Sequence, residues 1–340
     1  MGELVKNCLE NKHNIHFIGI GGAGMSAIAY VLIKRGFDVS GSDLNAGHMS
    51  ARLAEEGALV YMGHDSCQVY GADAVVVSTA IHAENCELVE AKKQGIPVLH
   101  RSDILAALIN ADGADGVAVA GAHGKTTTSA MISVIAAEAG IEPTVVIGGE
   151  VSSLGGNALN GSGSYVVAEA DESDGSFLKF YPKLEVITNI EDDHLDFYGT
   201  EENIYQAFKS FVGNLREGGK AILCVDNPKL RRLESEISQD HITYGMEGSN
   251  ATYTASDLNF GIDGTSYKIN YKGEYLCEAH LIVPGRHNVL NSLGAFATAR
   301  EMGIPMESIL ASLAKFAGAK RRFETKGKVD GIWVVDDYAH

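Results

Sequence analysis

Val117 to Thr128, VAVAGAHGKTTT, restricts what this chain can fold into more than any other stretch. Val117 to Ala120 is a run of small apolar residues that reads as a buried strand. It breaks at Gly121, and helix-forming sequence follows from Lys125. Gly121, Gly124, Lys125 and Thr126 stand on the ends of G-x-x-G-K-[ST], a shortened phosphate loop. Glycines let backbone N–H groups converge on an anion, and the following helix adds its positive N-terminal end. In that reading Lys125 reaches the β- and γ-phosphates and the Thr126 hydroxyl holds Mg²⁺. The alternative is a plain strand-to-helix turn that contains Gly and Lys.

A second glycine turn lies nearer the start. Ile15 to Gly24, IHFIGIGGAG, is a short strand followed by Gly19-x-Gly21-x-x-Gly24 at the opening of a helix, Met25 to Lys34. A strand at Phe37 to Ser40 then ends in Gly41-Ser42-Asp43. This is the order of a Rossmann-like nucleotide half, which does not separate NAD from another diphosphate-bearing ligand. Glycines that serve only tight helix–strand packing remain the alternative. Strands at Ala72 to Ser78 and Ile96 to Leu99 and helices at Glu84 to Gln94 and Ser102 to Ile109 continue the alternation. ADGADG, Ala111 to Gly116, reads as a linker, so a first domain spans residues 1–110.

The second unit, residues 111–322, places strands at Val117 to Ala120, Thr144 to Ile147, Tyr165 to Ala168, Val186 to Asn189 and Ala221 to Val225. Helices fall at Lys125 to Ala139, Glu201 to Leu215 and Pro228 to Ile237. Such alternation predicts a mostly parallel, doubly wound sheet. Ala251 to Val283 alternates apolar and polar residues around Gly-containing turns, which predicts an added antiparallel segment. Helices return at Asn288 to Met302 and Met306 to Phe316, Ala317 to Gly331 reads as a polar connector, and Ile332 to Val335 starts a further strand. The expected class is α/β: an N-terminal Rossmann-like parallel-sheet domain, then a central P-loop domain carrying the antiparallel addition. Residues 323–340 read as a linker and the first strand of a third domain that this chain does not contain.

Charge narrows the partners. Acidic residues number 44 against 27 basic ones, a net −17, so there is no general cation excess to meet nucleic acid or an anionic membrane. Five scattered cysteines without a C-x-x-C pair suit a reducing cytoplasm. The polar N-terminus does not resemble a signal peptide, and no apolar run reaches membrane length, so a soluble cytoplasmic protein is expected.

Three groups follow the second unit's strands, where open α/β sheets bind ligands. Glu169-Ala170-Asp171-Glu172-Ser173-Asp174 crowds four carboxylates that repel unless some meet a cation. One or two are expected as Mg²⁺ ligands, with a solvated acidic loop as the alternative. Further on, His194 stands among Glu191, Asp192, Asp193 and Asp196, as a metal ligand or an ion-paired surface histidine. Lys209 lies on the next helix, where a lysine is ordinarily solvated. Asn288 and Asn291, three apart, either present two amides to an adenine edge or, in the case of Asn288, simply cap a helix.

GAHGKTTT, EADESD, NIEDDHLDFYG, PGRHNVLNSLGA, FAGAKRRFE and DDYAH, in that order, resemble the Mur ligase family over essentially the whole chain. HFIGIGGAGMSAIAY, SGSD and the STAI to VLHR stretch narrow the resemblance to members that join L-alanine to UDP-N-acetylmuramate. The resemblance implies use of ATP and Mg²⁺, an acyl-phosphate intermediate, and a monomer or homodimer. It implies that Gly121, Ala122, His123, Gly124, Lys125, Thr126 and Thr127 cradle the phosphates, with Thr126 and Glu169 on one Mg²⁺ and His194 on a second. Lys209 corresponds to a lysine that other members carry in carbamylated form. Asn288 and Asn291 match the adenine side, Arg322 the γ-phosphate arginine, and Asp337 the acid near the ribose. Gly21, Gly22, Ala23 and Gly24 would face the UDP diphosphate, Asp43, Ser78 and Thr79 the uridine side, and His100 and Arg101 the substrate. Lys125, Glu169, His194 and Arg322 are the implied catalytic set. The family's C-terminal domain is absent after His340, so this chain alone is expected to form little amide. Competing expectations are a member that recycles murein peptides onto the same sugar nucleotide, a dinucleotide-dependent oxidoreductase, and a non-catalytic binding module.

Overall fold

Alternating apolar strands and helices build two sheets in the computed structural model, which describes residues 8–45, 47–261, 264–320, 324–329 and 332–337. The first contains β1 (Asn14–Ile18), α1 (Ala23–Lys34), β2 (Asp38–Asp43), α2 (His48–Glu55), β3 (Leu59–Met62), β4 (Ala74–Val77), α3 (Cys86–Lys93), β5 (Val98–His100) and α4 (Arg101–Ile109). Its strands run in the order β3-β2-β1-β4-β5, every pair parallel. Helices cover both faces of such a sheet, so beyond the exposed Asn14 β1 is apolar apart from His16, and Ile15 to Ile18 are fully buried.

The second sheet begins with β6 (Asp115–Ala120), α5 (Lys125–Glu138), β7 (Thr144–Val151), β8 (Gly156–Leu159), β9 (Tyr165–Glu169) and β10 (Leu184–Ile187). The short α6 (Leu195–Tyr198), α7 (Glu201–Val212), β11 (Lys220–Cys224), α8 (Pro228–Glu236) and β12 (His241–Met246) follow. Then come β13 (Tyr253–Gly261), β14 (Gly264–Tyr271), β15 (Glu274–Leu281), α9 (Arg286–Glu301) and α10 (Met306–Lys315). The ten strands are ordered β15-β14-β13-β12-β11-β10-β6-β9-β7-β8. The stretch from β13 to β7 is parallel; β14, β15 and β8 are antiparallel additions at the two ends. The α/β class and the antiparallel addition are therefore as the sequence predicts.

Local chemistry sets the helices. Thr200 caps α7 by accepting from the Asn203 N–H at 3.2 Å, and Asn227 caps α8 with Pro228 at its first position. The apolar stripe of α7 (Ile204, Phe208, Phe211) is buried, with the Phe177 ring 5.2 Å from Phe208, edge-on, and 4.8 Å from Phe211, tilted. Each such side chain contributes about 1.5–3 kcal/mol by leaving water. Helix α1 joins the two sheets: its Ala23 carbonyl accepts from Asn157 Nδ2 at 2.7 Å, one residue into β8.

Several boundaries differ from expectation, among them three that bear on the sheet edges. β6 starts at Asp115, inside the supposed linker, because Asp115 pairs with Tyr165 of β9 and binds Lys183 at 2.9 Å. β10 ends at Ile187, so Thr188 and Asn189 leave the ladder for the loop beyond it. The stretch expected as a connector carries β16 (Glu324–Val329), which pairs antiparallel with β17 (Ile332–Asp336). The Lys- and Arg-rich composition of the stretch hides this strand from a sequence reading. Helix α2 and strands β3, β8 and β12 have no counterpart in the expectations; β3 leaves the apolar Leu59 and Met62 exposed.

Candidate active site

Parallel pairing brings three loops to one edge. Val119 lies opposite Glu169 and Ala120 opposite Ile187, so the segments after β6, β9 and β10 leave the sheet side by side. There they border an open cavity of about 470 Å³, lined among others by Lys125, Thr126, Asn189, His194, Asn288 and Asn291. Ala122, His123, Gly124, Thr127 and Asp337 also line it.

The loop after β6 has the backbone the sequence requires. Gly121 has φ 128°, and a Cβ there would strike the Thr188 hydroxyl and the Asn189 backbone. Gly124 has φ 86° and serves as the N-cap of α5, and a Cβ on it would sit 2.5 Å from Asn291 Oδ1. Two residues missed by sequence reading brace this loop. Thr188 Oγ1 donates to the His123 carbonyl at 2.5 Å, and Asn189 both donates to that carbonyl (2.8 Å) and accepts from the His123 N–H (3.0 Å). Their signal was present as Thr-Asn directly after a buried strand at the sheet's ligand-binding edge.

Lys125 folds over the loop, donating to the Gly121 carbonyl (2.6 Å) and to Glu172 Oε1 (2.8 Å). The Glu172 side chain is only 4% exposed, and its Oε2 has no hydrogen-bond partner among the described residues. Burial pushes the Glu172 carboxyl above its ordinary range, and Lys125 only partly offsets it. Tyr198 fixes the backbone there by donating its hydroxyl to the Glu172 carbonyl at 2.5 Å. Glu169 accepts from the Gly148 N–H (2.6 Å), Thr126 Oγ1 (3.1 Å) and Ser129 Oγ (3.4 Å). Burial raises its carboxyl despite those donors. A hydroxyl and an enclosed carboxylate 3.1 Å apart are a donor set that fits a hard cation with oxygen ligands. Among the described residues there is no cluster of three or more His, Cys, Asp or Glu side chains that could hold a metal alone.

His194 is the N-cap of α6 and lies in the left-handed region, φ 56°, with Nε2 3.7 Å from its neighbour Asp193 Oδ2. The side chain lines the cavity from that position. Asn288 does not cap its helix: Gly285 is the N-cap, and the Asn288 amide donates back to Pro284 O at 2.7 Å. Asn291 Nδ2 reaches Asn288 Oδ1 at 3.3 Å, so the two amides form one pair beside the phosphate loop. Lys209 does not line the cavity; its Nζ binds Glu236 at 2.8 Å on the outer face of α7. Arg322 lies outside the described residues.

The first glycine turn is built differently. Asp43 Oδ2 accepts from the Gly21 N–H at 2.9 Å, and Gly22 caps α1, which begins with Ala23 and Gly24. Ser78 and the exposed Thr79 follow β4 at the same edge. His100 ends β5 and caps α4, with Nδ1 2.7 Å from Ser102 Oγ; burial lowers its pKa, while Asp174, 3.7 Å from Nε2, opposes that. Arg101 Nη2 binds Asp171 Oδ2 at 2.5 Å, so this residue of the first unit touches the acidic loop of the second.

Fold and loop together define the class: a two-sheet α/β protein whose larger sheet opens with a strand–phosphate-loop–helix unit. Two family models match, the Mur ligase middle domain over residues 119–299 and the Mur ligase family catalytic domain over residues 14–112. The chain belongs to the Mur ligase family, and thus to the ATP-dependent amide ligases. It is 48% identical over 332 residues to the UDP-N-acetylmuramate–L-alanine ligase of Pelotomaculum thermopropionicum, covering 98% of this chain and 72% of that protein. Among solved structures it resembles the UDP-N-acetylmuramate–alanine ligase of Thermotoga maritima, with TM-score 0.87 and 32% identity over 96% of this chain and 74% of that one. It also resembles the UDP-N-acetylmuramate:L-alanyl-γ-D-glutamyl-meso-diaminopimelate ligase of Neisseria meningitides, with TM-score 0.82 and 28% identity over 91% of this chain and all of that one. Among the described residues no helix is long and apolar enough to cross a membrane.

Proposed function

We propose that this chain belongs to the ligase that joins L-alanine to the carboxylate of UDP-N-acetylmuramate at the expense of ATP, in peptidoglycan precursor synthesis. The observation that carries the reading is the phosphate loop, with Lys125 folded onto the Gly121 carbonyl and Thr126 bonded to Glu169, in a chain 48% identical to such an enzyme. The substrate carboxylate oxygen attacks the γ-phosphorus and ADP departs, which leaves an acyl phosphate. The amine of alanine then attacks the acyl carbon, inorganic phosphate leaves, and the amine gives up its proton. Two anions must meet in the first step, so fixed positive charge and N–H groups at the loop lower its barrier.

In this reading Gly121 to Thr127 cradle the phosphates and Lys125 swings from Glu172 to the β- and γ-phosphates. Mg²⁺ held by Thr126 and Glu169, with His194 at a second ion, would neutralise charge on the phosphates. Asn288 and Asn291 take the adenine and Asp337 the ribose, while Arg322 serves the γ-phosphate. Gly21, Gly22, Ala23, Gly24, Asp43, Ser78, Thr79, His100 and Arg101 receive the sugar nucleotide. Lys209 serves as the carbamylated support only if it leaves Glu236. The chain's division at residues 110 and 322, a cytoplasmic location, and a monomer or homodimer belong to the same reading. It further expects these 340 residues by themselves to bind the sugar nucleotide and form little amide. Calorimetric titration with UDP-N-acetylmuramate and, separately, with NADH tests it: heat from the first alone is expected, and tight NADH binding without uridine-nucleotide binding overturns it.

A further inference from the structure

The acidic loop after β9 holds two cations that point in different directions. Glu172 holds Lys125 of the phosphate loop at 2.8 Å, whereas its neighbour Asp171 holds Arg101 at 2.5 Å. Arg101 stands at the first residue of α4, in the other sheet's unit. Nη2 meets Asp171, and Nη1 lies 3.0 Å from where a Cβ on Gly24 would be, at the start of α1. A planar guanidinium can serve two oxyanions at once through separate N–H edges.

Asp171 is itself held rigidly. Its Oδ1 accepts from the Ser173 N–H at 3.1 Å, and its carbonyl accepts from the Phe177 N–H (3.2 Å) and Ser176 Oγ (3.2 Å). From the other side Lys179, three residues past Ser176, binds Asp103 at 2.6 Å and Ser102 at 2.9 Å, which fixes the first turn of α4 against the same segment.

We propose that Asp171 is a positioning residue for the first nucleotide site: from the ATP-side loop it aims the Arg101 guanidinium at a diphosphate seated on the Gly21–Gly24 turn. This rests on the sugar-nucleotide reading above and adds to it a residue from the opposite unit. The first turn has no lysine of its own, and its cation is delivered by α4 and oriented by Asp171. One loop thereby sets the cations of both sites.

The test is a double-mutant cycle on this chain, with a non-hydrolysable ATP analogue and Mg²⁺ present at saturation and UDP-N-acetylmuramate titrated by calorimetry. Asp171→Asn is expected to weaken the sugar nucleotide about tenfold, the size of one charge-assisted contact, with the ATP analogue's own affinity changed less than about twofold. In an Arg101→Ala background Asp171→Asn should add little, and Asp171→Glu should restore most of the binding. Thermal unfolding of each variant separates loss of fold from loss of aim, because a misfolded loop would weaken both nucleotides together. Wild-type binding by Asp171→Asn, or an undiminished loss on top of Arg101→Ala, overturns the proposal. The cycle is repeated with UDP as the probe. If UDP shows the coupling while UDP-N-acetylmuramate does not bind, the sugar-nucleotide reading fails and this one stands; if neither binds, both fall.

Discussion

The two halves of the molecule open with the same device, a buried parallel strand, a glycine turn and a helix, yet they handle charge in opposite ways. In the larger sheet the loop carries its own cation, and Lys125 is the first residue of α5, with Glu169 and Glu172 closing in from the neighbouring strand. In the smaller sheet α1 starts with Ala23 and Gly24, and the nearest fixed charge on the turn is an acid, Asp43, bound to the Gly21 N–H. A glycine turn thus provides N–H donors in both, but the larger sheet's turn carries its own lysine. At the other, Arg101 approaches from α4.

Lys125→Ala should break that contrast most strongly. Removing the loop's own cation is expected to weaken a Mg²⁺-bound ATP analogue about a hundredfold in calorimetry while UDP-N-acetylmuramate binding holds. Equal loss at both sites would mean that the halves are not separate binding units. Gly121→Ala comes next. Its φ of 128° and the Thr188 and Asn189 atoms facing its Cβ leave an alanine no room, so the loop must shift. Roughly thirtyfold weaker ATP-analogue binding is expected, which is about 2 kcal/mol. Asp43→Ala sharpens the comparison from the other side. It frees the Gly21 N–H and, in the proposed reading, removes an acid on the uridine side, so about tenfold weaker UDP-N-acetylmuramate binding and an unchanged ATP analogue are expected.

Both glycine turns were legible because glycine, lysine and apolar runs sit next to one another in sequence, and local backbone needs dictate them. The acidic loop was legible as a cluster, but which acid faces which cation was not, because Lys125 and Arg101 lie 47 and 70 residues from their partners. Thr188 and Asn189 were hidden by the apolar run before them, which reads as strand until the ladder is seen to end at Ile187. Asn288 illustrates the converse. Its position suited a helix cap, and only the fold shows Gly285 in that role and the amide turned toward the cavity rim. Periodicity reveals elements, whereas contacts between distant loops are decided by sheet order.

The smallest expected effect separates the halves by their sealed carboxylates. Glu87, in the smaller unit, accepts from Ser42 Oγ (2.7 Å), His16 Nε2 (3.0 Å) and His64 Nδ1 (3.0 Å). Burial pushes it up, but those contacts outweigh burial and hold it below its ordinary 4.5. Glu185, in the middle of β10, is fully buried, and neither of its oxygens meets a hydrogen-bond partner among the described residues. Burial alone therefore raises it well above 4.5. The signs follow from proton counting. Folded Glu185 keeps a proton that the unfolded chain releases above about pH 4.5, so its contribution to stability falls as pH rises toward its folded value. Glu87 behaves oppositely: its contribution is present above about pH 4.5 and is lost as pH falls through its lower folded value. Glu185→Gln should then stabilise the chain by about 1 kcal/mol near pH 8 and by little near pH 4, read from urea unfolding. Glu87→Gln should cost stability near pH 8 and progressively less as the pH is lowered. Parallel slopes for the two variants would show that the buried carboxylates of the two units are held in the same way after all.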